Sequence, residues 1–90
     1  MNKAELIDSV ARDTSISKKD AGAVLDAMLD SISGALSKGE RVQLTGFGTF
    51  EVRAREERRG RNPQTGAEIN IPARRSPVFR AGKALKDSLQ

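Results

Sequence analysis

The chain is predicted to fold as an α+β protein, and three features of its 90 residues carry that prediction. Apolar residues recur at helical spacing through the first third, then alternate with polar ones after Gly39. Between Arg53 and Arg75 the only large apolar residues are Ile69 and Ile71, while arginines crowd a glycine- and proline-rich turn. The expected order is α-α-β-β-arm-β-α. Helices would lie on one face of a three-stranded antiparallel sheet from which a long β-hairpin protrudes.

The first helix starts at Asn2, an N-cap with Glu5 three residues on, and its stripe is Leu6, Ile7, Val10, Ala11 and Thr14. Asp13-Thr14-Ser15 breaks it. Ser17 caps a second helix, with Asp20 at the capping-box position, and Lys38-Gly39 closes it with a cation and a glycine. Its apolar face comprises Ala21, Val24, Leu25, Met28, Leu29, Ile32 and Leu36. That stripe is wide enough to pack against a partner subunit as well as its own neighbour.

Val42 and Leu44 then alternate with Arg41, Gln43 and Thr45 before the tight Gly46-Phe47-Gly48 connection. Thr49 to Arg55 forms the next strand, with Phe50, Val52 and Ala54 on one side and Glu51, Arg53 and Arg55 on the other. The segment Arg58-Arg59-Gly60-Arg61-Asn62-Pro63-Gln64-Thr65-Gly66 excludes a helix and supplies strong turn chemistry. Ser76 to Ala81 returns to the sheet, and Lys83 to Leu89 forms a last helix, with Ala84, Leu85 and Leu89 inward and Lys83 and Lys86 outward. Arg53, Arg55, Arg59 and Arg61 share one parity, and Arg58 has the other. A bulge at Gly60 would place Arg58 and Arg61 on a common face, an expectation that a regular ladder through Gly60 refutes.

Residues 1–90 read as one domain: a helical part at 1–40 for dimerisation, then the sheet, an arm at about 53–75 and the C-terminal helix at 41–90. Residues 1–40 carry five basic and seven acidic side chains, whereas residues 41–90 carry eleven and five. The net charge of +4 therefore comes from one end, the electrostatic footprint of a nucleic-acid binder. Three phenylalanines are the only aromatics, so a single chain has a thin core, and a chain this short buries only about 60–65% of its unfolded surface. Association with a second copy would help.

Without cysteine or histidine, the chain has no disulfide framework, no thiolate chemistry and no ordinary zinc ligand set. No Walker-type loop and no His or Cys base accompany its serines and carboxylates, so neither an enzyme nor a metal or other cofactor is expected. No stretch approaches the ~20 apolar residues of a membrane span, and the N-terminus has no apolar signal core. A cytosolic protein is expected, with neither a membrane nor a small-molecule substrate as partner.

Arginine suits phosphate because its planar donor fork makes two parallel charge-assisted bonds, and it can enter a narrow minor groove. Contacts of that kind position a protein on DNA without reading sequence. Major-groove readers are scarce, since no basic recognition helix exists. At the arm tip stand Asn62, Pro63 and Gln64. A tip proline is either turn geometry or a wedge that prises base pairs apart, and residue types alone leave both open.

The run Gly46-Phe47-Gly48-Thr49-Phe50-Glu51-Val52-Arg53, continued by Gly60-Arg61-Asn62-Pro63-Gln64-Thr65-Gly66, resembles the signature of the bacterial HU/IHF histone-like DNA-bending proteins. Phe79-Arg80-Ala81-Gly82-Lys83-Ala84-Leu85-Lys86 is similar to that family's last strand and helix, and the match spans essentially the whole chain. The resemblance implies an intertwined dimer whose two arms embrace DNA through the minor groove, with Pro63 as the intercalating residue. It assigns DNA contact to Arg53, Arg55, Arg58 and Arg61 along the arm and to Asn62 and Gln64 beside the wedge; Arg59 joins them from the arginine run itself, as do Arg74 and Arg75, a pair more basic than the family pattern. Arg80, Lys83 and Lys86 would sit on the saddle and flank, and Lys3 would meet DNA wrapped round the body. The expected dimer core is Leu29, Ile32, Leu36, Leu44, Phe47, Phe50 and Phe79. Glu56 and Glu57 depart from a phosphate-binding pattern and are expected to pair with Arg58 or Arg59.

The function expected is a sequence-tolerant, histone-like homodimer that bends, wraps and compacts double-stranded DNA in the bacterial nucleoid and prefers bent, nicked or cruciform forms. The alternative is an IHF-like subunit of a site-selective heterodimer, separable by comparing one defined site with random duplex. An RNA-binding module is weakened by the lack of exposed aromatics for base stacking.

Overall fold

The computed structural model describes residues 1–90, in two compact units, Met1–Ala35 and Leu36–Gln90. Helix α1 (Lys3–Thr14) begins where Asn2 Oδ1 accepts the Glu5 N–H at 2.8 Å and stops at Ser15, a non-glycine residue in the left-handed region with φ 59°. Helix α2 (Lys18–Ser37) is capped by Ser17, whose Oγ accepts the Asp20 N–H at 3.0 Å. Gly39, at φ 79°, turns the chain out of it and donates to the Leu36 carbonyl. Each expected cap is therefore in place. No helix is long and apolar enough to cross a membrane.

Within the first unit α1 runs antiparallel to the first part of α2. Ile7 packs over Gly22, and ion pairs join Lys3 to Asp26 at 2.7 Å and Lys18 to Asp8 at 3.3 Å. Ala11 and Ala21 are the only buried apolar side chains of the whole chain. Ile7, Val10, Leu25 and Ile32 are half-buried, whereas Val24, Met28 and Leu29 are each about half exposed. The stripe on α2 is thus wider than its neighbour covers.

The second unit holds a sheet of order β1-β2-β5, from β1 (Val42–Leu44), β2 (Gly48–Arg55) and β5 (Arg74–Ala81), all antiparallel with β2 central. Strands β3 (Arg58–Arg61) and β4 (Glu68–Ile71) pair separately as a two-stranded ribbon. Helix α3 (Lys83–Ser88) closes the chain. The sheet's apolar face is organised by Phe79, whose ring lies 5.5 Å from Phe47 and 4.9 Å from Phe50, both tilted. Gly48 makes that packing possible. A Cβ there would stand 2.5 Å from the Phe79 ring and 2.7 Å from the Arg80 carbonyl oxygen, so no larger residue fits without displacement.

Two expectations are corrected. Leu89 is 82% exposed and Ala84 is exposed, so only Leu85 of α3 turns inward; a helix of six residues has one turn to bury and ends before Leu89. The bulge at Gly60 does not occur. Gly60 pairs with Ile69 in a regular ladder, flanked by Arg58↔Ile71 and Arg61↔Glu68. Ile71 and Ile69 lie across the bare Gly60 backbone, which accounts for the glycine by packing rather than by an inserted residue.

Candidate nucleic-acid interface

Strand register decides which arginines share a face, because cross-strand partners project to the same side. The pairs Thr49↔Arg80, Glu51↔Val78, Arg53↔Ser76 and Arg55↔Arg74 make one face of the sheet polar and cationic. The other face carries Phe50↔Phe79, Val52↔Pro77 and Ala54↔Arg75. Arg53, Arg55, Arg74 and Arg80 therefore stand together, and Arg75 stands apart from them. The guanidinium of Arg75 donates from one nitrogen, Nη2, to the carbonyls of Leu36 at 3.0 Å and Ser37 at 3.1 Å, the last residues of α2.

Glu51 is the one carboxylate on the cationic face, 3.6 Å from Arg80. With Arg41, Thr49, Ala81 and Gly82 these two line a shallow open depression of about 180 Å³. Arg41 was not among the residues assigned to the interface from sequence. Its signal was the alternation Arg41-Val42-Gln43, which puts it on the side of Gln43 and hence, through Gln43↔Thr49, beside Glu51. The depression is open to solvent, and no cluster of three or more metal-ligating side chains exists anywhere in the chain.

Beyond Arg55 and Arg74 the ladder lapses at Glu56, Glu57, Pro72 and Ala73, then resumes in the ribbon. Proline has no N–H to give a ladder, which explains a gap on that strand. Arg58 shares the ribbon face of Gly60, Ile69 and Ile71, while Arg59 and Arg61 share the opposite face with Asn70 and Glu68. Arg59 lies 3.7 Å from Glu68, an exposed pairing worth ~0.2–1 kcal/mol. The expected pairing of Glu56 or Glu57 with Arg58 or Arg59 is absent, since Glu68 sits diagonally across the ladder from Arg59 and reaches it instead.

Asn62 builds the tip. Its Oδ1 accepts the Gln64 N–H at 2.9 Å, its carbonyl accepts the Gly66 N–H at 2.7 Å, and its own N–H donates to the Ala67 carbonyl at 2.8 Å. Gly66 adopts φ 72°, which closes the loop. Pro63 and Gln64 are left exposed at the apex of a loop whose shape is fixed from beneath. Lys83 and Lys86 are exposed on α3, and Lys3 is held in the first unit by Asp26, whose hydrogen bond and charge raise the ammonium above the usual lysine range. Of the expected dimer-core residues, Leu29, Phe47 and Phe79 are exposed and Ile32, Leu36, Leu44 and Phe50 half-buried, so none is fully covered within one chain.

The model of a family described as bacterial DNA-binding protein matches residues 1–90. DNA-binding protein HU of Staphylococcus aureus is 58% identical and that of Geobacillus stearothermophilus 59% identical, each over 90 residues covering 100% of both chains. Among solved structures, Anabaena HU in a cocrystal with DNA superposes with TM-score 0.85 at 50% identity, covering 99% of this chain and 97% of that one. HU from Thermotoga maritima gives TM-score 0.71 at 39% identity over 100% of both chains.

Proposed function

The chain belongs to the HU family of bacterial DNA-binding proteins, and from that membership we propose how its residues hold and bend a duplex. It is a histone-like, non-enzymatic architectural protein that binds DNA without sequence specificity. Two copies form a homodimer in which residues 1–90 act as one domain, and each copy sends its ribbon along the minor groove. The observation that carries this reading is the ribbon itself: an arm with almost no core, flanked by arginines and ending in an exposed proline.

Support for the dimer comes from the apolar surface left open by a single chain. Val24, Met28, Leu29, Phe47 and Phe79 are all exposed over roughly half their surface, and covering that half contributes on the order of 1 kcal/mol each. A second copy presents the same residues and can cover them reciprocally.

In the bound state Arg53, Arg55, Arg74 and Arg80 meet phosphates on the sheet's cationic face, and Arg58, Arg59 and Arg61 follow the arm on both of its sides. Lys83 and Lys86 extend the track along the flank, and Lys3 joins when it exchanges Asp26 for phosphate. Pro63 enters between base pairs with Gln64 beside it, and Asn62 serves chiefly by holding the loop rigid. Unstacking a base step costs a few kcal/mol, so duplexes already bent, nicked or branched are bound in preference to straight ones. Such a protein works on the bacterial nucleoid, in the cytoplasm.

The test is the salt dependence of binding to a random duplex. If the dimer neutralises on the order of six to ten phosphates, affinity falls by about three to five powers of ten between ~50 and ~200 mM salt. A nearly flat dependence contradicts the phosphate track. A preference near 10³ or above for one defined site contradicts the absence of sequence reading.

A further inference from the structure

We infer that Arg75 is a positioning residue that ties the root of the arm to the end of α2, rather than one of the residues that grip phosphate. Its sequence neighbourhood argues otherwise, since Arg74-Arg75 reads as a continuation of the cationic track. Register separates the two. Arg74 pairs with Arg55 on the cationic face, whereas Arg75 pairs with Ala54 on the face of Phe50, Val52 and Phe79. A side chain on that face cannot join the row of Arg53, Arg55 and Arg80 without a flip of the strand.

The bonds Arg75 makes are the ones a helix end requires. The last four carbonyls of a helix lack intrahelical donors, and they form the negative end of its dipole. Helix α2 has no basic residue within its last turn, and Lys38, the cation that follows it, is exposed. Arg75 answers that charge from a strand 38 and 39 residues away, giving one N–H to each of the Leu36 and Ser37 carbonyls. Gly39 adds a third donor at Leu36, so this helix end is held from two directions.

Location gives the clamp its consequence. Arg75 lies one residue inside the last paired rung of the sheet, Arg55↔Arg74, beyond which the ladder lapses at Glu56, Glu57, Pro72 and Ala73. Past that point the ribbon has its own hydrogen bonds but no aromatic cluster. The rung Ala54↔Arg75 is thus where the strands leave the packed sheet, and the two bonds fix that rung to the Leu36–Ser37 backbone within the same unit. A cation spent on carbonyls is also unavailable to phosphate.

This inference rests on the arms as the DNA-gripping elements, and one branch of its test needs no DNA, so the two can fail separately. Arg75→Met removes charge and donors, and Arg75→Lys restores a cation able to donate to both carbonyls. In the free protein, amide hydrogen exchange at Ala54 and Arg75 should quicken at least fivefold in Arg75→Met and return close to normal in Arg75→Lys. On random duplex, the slope of log affinity against log salt should match the unmodified protein in Arg75→Met, whereas Arg53→Met should lower it by about 0.9 for each phosphate left without its arginine. A slope reduced in Arg75→Met overturns the inference, whatever the exchange rates, and so does unchanged exchange. Should Arg75→Met not fold, the Nη protons of the unmodified protein decide. Slow exchange at Arg75 with and without DNA supports the clamp, and slowing only when DNA is added overturns it.

Discussion

The sheet and the ribbon are made from the same two runs of chain in one continuous register, yet they are held by different physics. In the sheet, Phe79 gathers Phe47 and Phe50 on one face and Gly48 clears space for its ring. In the ribbon, two isoleucines laid over Gly60 are all the apolar packing, and the rest is backbone pairing and the loop bonds of Asn62. Packing therefore sets stability in one region, and charge with shape sets use in the other. A binder of DNA needs both, because an arm that folded onto its own core would have no arginines left to offer.

That contrast is broken first by core truncation. Phe79→Ala should cost about 3 kcal/mol or more in urea unfolding, since it removes the packing of Phe79 on both Phe47 and Phe50 at once. Ile69→Ala, in the ribbon, should cost less than ~1 kcal/mol globally, because its side chain lies over the Gly60 backbone and meets no aromatic cluster. Equal losses would mean that the ribbon shares the core. Next in size is Gly48→Ala, where a methyl group driven against the Phe79 ring and the Arg80 carbonyl should cost about 1–3 kcal/mol in the same assay.

Pro63→Ala sharpens the comparison from the other side. Stability should move by less than ~0.5 kcal/mol, because Pro63 is exposed at the apex of the loop. Bending of a short duplex, read by end-to-end fluorescence transfer, should fall more than affinity does. Identical bends for mutant and unmodified protein would remove the wedge. The smallest effect concerns Lys3. Because its ammonium is favoured in the folded state, the stabilisation it supplies is complete below pH 10.5 and is lost as pH rises through the higher folded value. Asp26→Asn should lower the Lys3 titration toward the ordinary lysine range, observed by NMR, and free it for phosphate.

Much of the fold was legible because local chemistry and global structure agree at each boundary. Asn2, Ser17 and Gly39 mark helix ends by side-chain and backbone chemistry that acts over three or four residues. Phe50 was readable as inward by alternation, and the Pro63 turn by composition, whereas adjacent Val78 and Phe79 were separated only by their cross-strand partners. What alternation could not supply was a cross-strand partner. Glu68 in place of Glu56 or Glu57 for Arg59, Arg41 beside Glu51, and Arg75 at the end of α2 all follow from register between distant segments. Gly60 misled for a related reason: a glycine in a strand signals either a bulge or a close neighbour, and only Ile69 and Ile71 from the other strand decide which.

The most direct test places donor and acceptor dyes on the two ends of a short random duplex and adds saturating protein at low salt. Two arginine arms driving wedges into the duplex should bring the ends together, with the transfer signal lost again as salt is raised. A duplex that is bound yet keeps its ends at the separation of straight DNA would contradict the account.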